Sequence, residues 1–162
     1  MGLLTSMLAE TMNNDEITII KMEDFYLDSD YKSLNEQLDS FSNDLLKQLG
    51  VKQKFDTAMD VSRIKYRFEN GTILLAKLNN KTVGYAQAMF NKETNVCYIS
   101  ELVVDKNIRG TGIGKKLLSI LISNAKENGM QHFSLSCIAN NAYALKLYKS
   151  FGFKLMTYVM FK

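Results

Sequence analysis

A mixed α+β domain of the α/β class, built on a central, mostly antiparallel β-sheet with helices on both faces, is the architecture that the hydropathy pattern predicts. Two observations carry it. Between Thr72 and Val104, strand-like apolar runs are separated only by short polar turns, which makes them antiparallel neighbours. Beyond Val104, helical and strand periods alternate, which makes crossover units. The order reads β-α-α-β-β-β-α-β-α-β. At 162 residues a single domain over 1–162 is expected, large enough for one core, with 1–14 as a flexible terminus.

The elements follow from local patterns. Ile17 to Met22 reads as a first strand. Tyr31, Leu34, Leu38, Phe41, Leu45 and Leu49 recur at intervals of three and four, an amphipathic helix stopped by Gly50 and capped by Asp28, Ser29 or Asp30. Val61, Ile64 and Phe68 suggest a shorter helix ending at Asn70-Gly71. Thr72 to Leu78 and Thr82 to Phe90 flank Asn79-Asn80-Lys81, a hairpin by its turn chemistry. Asn91 to Asn95 is a second polar turn before the strand Val96 to Val104. Leu117, Leu118, Leu121, Ile122 and Ala125 share one helical face, which Gly129 ends. Gln131 to Ile138 is predicted as a strand, Asn141 to Phe151 as a helix, and Phe153 to Phe161 as a last strand.

Composition excludes several classes. A hydrophobic content of 46% with 23% charged residues is that of a globular protein. A net charge of +3 is too small to argue for nucleic acid. No apolar run is long enough for a membrane span. Residues Met1 to Ala9 lack the basic start and apolar core of a signal peptide. Their Met-Gly-x-x-x-Ser form matches a myristoylation pattern too short to carry weight. Cys97 and Cys137 sit in apolar, strand-like runs without metal-ligand spacing. They are expected as buried thiols of a reducing, cytoplasmic environment, with no metal site.

The chemistry concentrates at Arg109-Gly110-Thr111-Gly112-Ile113-Gly114, between a strand and a helix. Glycines there let backbone approach a ligand, and the first N–H groups of the helix point outward, a geometry suited to phosphate. A Walker A loop is excluded: Gly110 is too close to Gly114, and Lys115 is followed by Lys116, not by Ser or Thr. A dinucleotide fingerprint is excluded by the even spacing of Gly110, Gly112 and Gly114. What remains is Arg-x-x-Gly-x-Gly at Arg109, Gly112 and Gly114, which resembles the acetyl-CoA pyrophosphate loop of the GNAT superfamily of N-acetyltransferases. A second segment, Asn141 to Phe153, is similar to the family's late helix (Asn-x-x-Ala-x-x-x-Tyr-x-x-x-Gly-Phe). The resemblance covers about a third of the chain, from Tyr98 to Phe153, and is general only over the first 70 residues.

That resemblance implies a GNAT-like fold and transfer of an acetyl group from acetyl-CoA to a primary amine of a small molecule or peptide. The anchor for the pyrophosphate would be Gly110, Thr111, Gly112, Ile113, Gly114 and Lys115, with Arg109 adding charge. In the family the preceding strand lines the pantetheine arm through its backbone, here Leu102, Val103 and Val104, and a bulge frees an N–H for the thioester oxygen. Tyr148 matches a tyrosine proposed to protonate the leaving thiolate; the alternative is an amphipathic core tyrosine. Asn141 would bind the pantetheine amide, and it or Asn140 caps the helix. Glu101, the one carboxylate in its strand, is a candidate base, or else a solvent-facing glutamate on the opposite face from Leu102. His132 is expected at a strand edge on the surface.

The acceptor is not named by the residues. Glu23 to Asp44 carries seven acidic residues against Lys32, and Lys52 to Arg67 carries five basic residues against Asp56 and Asp60. An acidic face would draw a polyamine, an aminoglycoside or a lysine; solvated helix surfaces are the plainer reading. Two other functions stay open: a non-catalytic acyl-CoA-binding regulatory module, and an acetyltransferase with a macromolecular acceptor, including a tRNA version that needs a basic surface patch. A membrane partner is not expected, and a homodimer is compatible with the family.

Overall fold

The computed structural model describes residues 17–24, 29–52, 61–157 and 160. The strands are β1 (Ile17–Lys21), β2 (Gly71–Leu78), β3 (Lys81–Asn91), β4 (Val96–Val104) and β5 (His132–Leu135). The helices are α1 (Ser29–Gln48), α2 (Val61–Glu69), α3 (Ile113–Glu127) and α4 (Ala142–Ser150), with a 3-10 turn at Lys106–Ile108. The sheet order is β1-β2-β3-β4-β5; the first four strands are antiparallel neighbours and β5 runs parallel to β4.

Side-chain alternation divides the core between the two faces. Leu74, Ala76, Ala86, Ala88, Cys97 and Ile99 pack on one side against Leu117, Leu118 and Leu121 of α3, with Leu147 and Tyr148 of α4 and Phe151 just beyond it at the margin. Ile73, Leu75, Tyr85 and Val103 pack on the other against Tyr31 and Leu34 of α1 and Ile64 of α2. Each fully buried leucine of α3 contributes about 1.5–3 kcal/mol. The predicted helices on both faces are therefore present.

Turn chemistry fixes the hairpin. Asn79 and Asn80 both adopt positive φ, 49° and 66°. A two-residue connection of that kind matches the twist of its flanking strands, and Asn tolerates it. The Asn91 side chain accepts from the N–H groups of Glu93 and Thr94 at 3.0 and 3.1 Å, closing the next turn. At the end of α3, Gly129 takes φ 85°.

Three expectations are corrected. No strand forms over 153–157, and Leu155 and Met156 stand exposed. A strand signal needs a paired edge to become a strand, and among the described residues β5 pairs only with β4. The remainder of the expected last strand, Tyr158 to Phe161, lies outside the described residues except Met160, as does the terminus 1–14. Strand β5 is also shorter than Gln131 to Ile138, because its pairing with β4 ends at the Ile99–Leu135 pair. Cys137 consequently falls beyond β5 and is half-buried, whereas Cys97 is buried. Both thiols are free and burial raises both pKa values, Cys97 to about 11.

Candidate active site

The parting of β4 from β5 creates the site. They pair from Val96–His132 to Ile99–Leu135, after which the far edge of β4 has no strand partner among the described residues. At that point β4 carries a bulge: Gln87 faces Glu101 and Ala88 faces Ile99, so Ser100 is the extra residue, its hydroxyl 3.3 Å from the Gln87 carbonyl. The bulge keeps Ile99 and Leu102 on the α3 side and turns Glu101 and Val103 to the α1/α2 side.

The glycine loop lies at the end of this edge. Gly110 and Gly112 have φ of 82° and 90°, the left-handed region that favours glycine, and a Cβ on either meets nothing within 4 Å. Gly112 is the N-cap of α3 without a side-chain cap, and the first helical bond runs from Lys116 N–H to the Gly112 carbonyl. The helix thus leaves the N–H groups of Ile113, Gly114 and Lys115 unused. Thr111 spends its hydroxyl on the Ile108 carbonyl at 2.8 Å. A Cβ on Gly114 would touch Val104 at 3.7 Å and Leu147 at 3.9 Å, so α3, α4 and the end of β4 meet there. Open space, left-handed glycines and outward N–H groups make the loop suited to an anion, and exposed Lys106, Arg109 and Lys115 lie in or next to it in the chain.

Helix α1 ties both sides of the opening. Arg109 donates from Nε to the Val104 carbonyl at 3.0 Å and stacks its guanidinium over Phe41 of α1, 4.9 Å from the ring centre. Gln37 of α1 accepts from Lys106 N–H at 3.1 Å and approaches Asp105. Asp105 caps the 3-10 turn through Asn107 N–H, and that bond, first among several effects, lowers its pKa. On the far side, Asn140 donates to the Leu45 carbonyl at 3.1 Å and to Gln48 at 3.2 Å.

Tyr148 lies on α4 with its ring edge toward Phe153, centroids 6.0 Å apart. Burial, and then the nearby Cys137, push its pKa up to about 12. Asn141 is the cap of α4, accepting from Ala144 N–H at 3.1 Å, while Asn140 serves α1 instead. His132 is exposed at the start of β5, as expected.

Glu101 does not face open solvent. Arg67 of α2 forms an ion pair with its Oε1, and the Tyr85 hydroxyl lies 3.0 Å from its Oε2. The same hydroxyl is 3.0 Å from Asn35 Oδ1, and Tyr31 stacks on the Tyr85 ring at 4.5 Å. Arg67 also donates to Gln87 Oε1 at 3.2 Å. Burial, with the Glu101 charge next, raises the Tyr85 pKa well above the phenolic range, so this phenol stays a donor. Beside the pair a groove of about 440 Å³ is lined by Ser62, Tyr66, Arg67, Met89, Tyr98 and Ser100. Arg67, Tyr85, Tyr66 and Tyr98 were not singled out from the sequence. Arg67 was detectable: it lies three residues after Ile64, on the inward side of α2.

The charge runs separate in the structure. Glu23, Asp24, Glu36 and Asp44 are exposed, whereas Asp30 accepts from Thr82 N–H at 3.2 Å. Arg67 turns inward and exposed Lys65 pairs with Glu69 at 3.8 Å; residues 53–60 lie outside the described residues. No described helix is long and apolar enough to cross a membrane.

The chain is similar to known proteins. A chain from Staphylococcus aureus Mu50, described as an acetyltransferase of the GNAT family, superposes with a TM-score of 0.64 at 26% identity, over 87% of this chain and 86% of that one. The N-acetylaspartate synthetase of Xenopus tropicalis is 34% identical over 95 residues, 59% of this chain and 35% of its own. The spermine/spermidine N(1)-acetyltransferase of Bacillus subtilis is 35% identical over 65 residues, 40% of this chain and 42% of its own. The chain therefore spans well under half the length of either curated relative. The acetyltransferase (GNAT) family pattern matches residues 38–153, from within α1 through the glycine loop and α4. With most of its length inside that pattern and its glycine loop at the mouth of the β4–β5 opening, the chain belongs to the acetyltransferase (GNAT) family.

Proposed function

We propose that the protein is an N-acetyltransferase that uses acetyl-CoA as co-substrate and a primary amine of a small molecule or peptide as acceptor. The observation that carries this is the left-handed Gly110–Gly112 turn, which opens unused N–H groups at the start of α3 beside the β4 edge that no described strand pairs. Backbone groups of Gly110 to Lys115 would hold the pyrophosphate, with Arg109 adding charge from its perch on Phe41. The edge of Leu102, Val103 and Val104 would line the pantetheine arm. Asn141, whose side-chain oxygen caps α4, keeps its amide N–H₂ for a pantetheine carbonyl.

In the reaction, the amine nitrogen attacks the thioester carbonyl carbon. A C–N bond forms and the C–S bond breaks. The amine proton leaves to Glu101, directly or through a water, and the thiolate takes a proton from Tyr148. Glu101 and Tyr148 approach from opposite faces of the sheet, so donor and acceptor of protons remain separate. Tyr148, with its pKa near 12, is protonated throughout the neutral range.

Calorimetry with acetyl-CoA, followed by thiol release against a panel of amines, tests this reading. Binding with release supports it. Binding without release for any amine leaves a non-catalytic acyl-CoA module or a macromolecular acceptor. Absence of binding overturns it.

A further inference from the structure

Resting on the acetyltransferase reading, we propose that the acceptor is a primary amine on a compact apolar body, aromatic by preference and without a second charge, selected by Tyr66 and Tyr98. The groove beside Glu101 has the size of a small-molecule site. Two tyrosines line it, and both stand open to solvent, Tyr66 at 57% and Tyr98 at 38% exposure. Large aromatic faces on the wall of a concavity are covered best by another ring or an aliphatic body.

The charge pattern narrows the class further. Among the described residues, Arg67 is the only charged side chain lining the groove, and Glu101 neutralises it. Glu69, the carboxylate of α2, is turned to Lys65. Asp39 of α1 is felt electrostatically by Tyr85 but does not line the groove. Among the described residues the groove thus presents one neutralised ion pair and no unpaired carboxylate, so any ammonium beyond the reacting amine would lose water without meeting a counter-charge. A carboxylate on the acceptor would compete with Glu101 for Arg67. The Bacillus relative's polyamine specificity thus does not carry over to this groove.

The test compares kcat/KM for phenethylamine, spermidine and free lysine, with acetyl-CoA saturating and thiol release as readout. Phenethylamine is expected to exceed both others at least tenfold. Tyr66→Ala and Tyr98→Ala should each raise the KM for phenethylamine about tenfold while the KM for acetyl-CoA stays within twofold. Tyr66→Phe and Tyr98→Phe should restore wild-type values, since the ring and not the hydroxyl is the contact. Thermal unfolding checks that each variant folds. Should Tyr98→Ala fail, Tyr66→Ala on the surface of α2 decides alone. Spermidine or lysine equal to phenethylamine overturns the proposal, as does an unchanged KM in Tyr66→Ala. Acetyl-CoA binding without release to any amine also overturns it, yet leaves the coenzyme site standing. Failure to bind acetyl-CoA removes the parent reading as well.

Discussion

Gly112 and Gly129 stand at opposite ends of α3 in the same backbone state, φ 90° and 85°, and a Cβ on either meets nothing within 4 Å. Alanine at either position therefore adds left-handed strain without a clash. The cost is about 1–2 kcal/mol, which lowers Tm by roughly 2–8 °C for a chain of this size. The two variants should be equally destabilised. Only Gly112→Ala should lose acetyl-CoA affinity, because only there does the open space belong to the proposed pyrophosphate cradle. Glutamate at 112 sharpens the contrast: at an effective dielectric of about 20, unit charges about 5 Å apart repel by roughly 3 kcal/mol, on the order of a hundredfold in Kd. Calorimetric titration with acetyl-CoA, alongside thermal melts, separates the two effects. If Gly112→Glu binds acetyl-CoA as the wild type does, or Gly129→Ala weakens binding equally, the anchor is elsewhere.

The Arg67–Glu101 pair predicts a coupled cycle. Either Arg67→Leu or Glu101→Leu alone should cost about 2–4 kcal/mol by stranding the other charge, and the double variant less than their sum; additive losses in urea melts would refute the coupling. Tyr148→Phe should lower kcat by tenfold or more with little change in acetyl-CoA affinity, measured by steady-state thiol release. Tyr148 also reports on alkaline stability. Its folded pKa near 12 lies above the unfolded value near 10, so no stability is lost below pH 10 and stability falls progressively as pH rises from 10 to 12. Tyr148→Phe should make that fall shallower in alkaline unfolding curves. Gly71→Ala should disrupt folding outright, because its Cβ would stand 1.8 Å from the Ala88 carbonyl oxygen; a soluble variant of unchanged Tm would refute the β2–β3 register.

What could be read in advance follows from how local each cause is. The Asn79-Asn80 turn, the leucine face of α3 and the glycine loop depend on neighbours in the chain, and their residues announce them. The Ser100 bulge does not announce itself: Cys97, Ile99, Leu102 and Val104 form two apolar alternations out of step, and only the β3 register shows which residue is extra. The environment of Glu101 was hidden for a similar reason. Its partners Arg67 and Tyr85, and Asn35 beyond the Tyr85 hydroxyl, come from α2, β3 and α1, and no spacing along the chain links them. Over 153–157 no strand forms because alternation describes a surface, whereas pairing needs an edge to receive it.

Helix α1 acts as a tie beam across the opening between β4 and the β5–α4 connection. One end grips the glycine-loop side through Gln37 and Phe41, and the other grips Asn140 through Leu45 and Gln48. From Gln37 to Gln48 the helix rises roughly 16 Å, and a helix does not stretch. The span between the two lips is thereby a fixed length set by backbone hydrogen bonds, not by side-chain packing alone. Widening the cleft requires releasing one grip, so the amide exchange of α1 is a strain gauge for whatever enters.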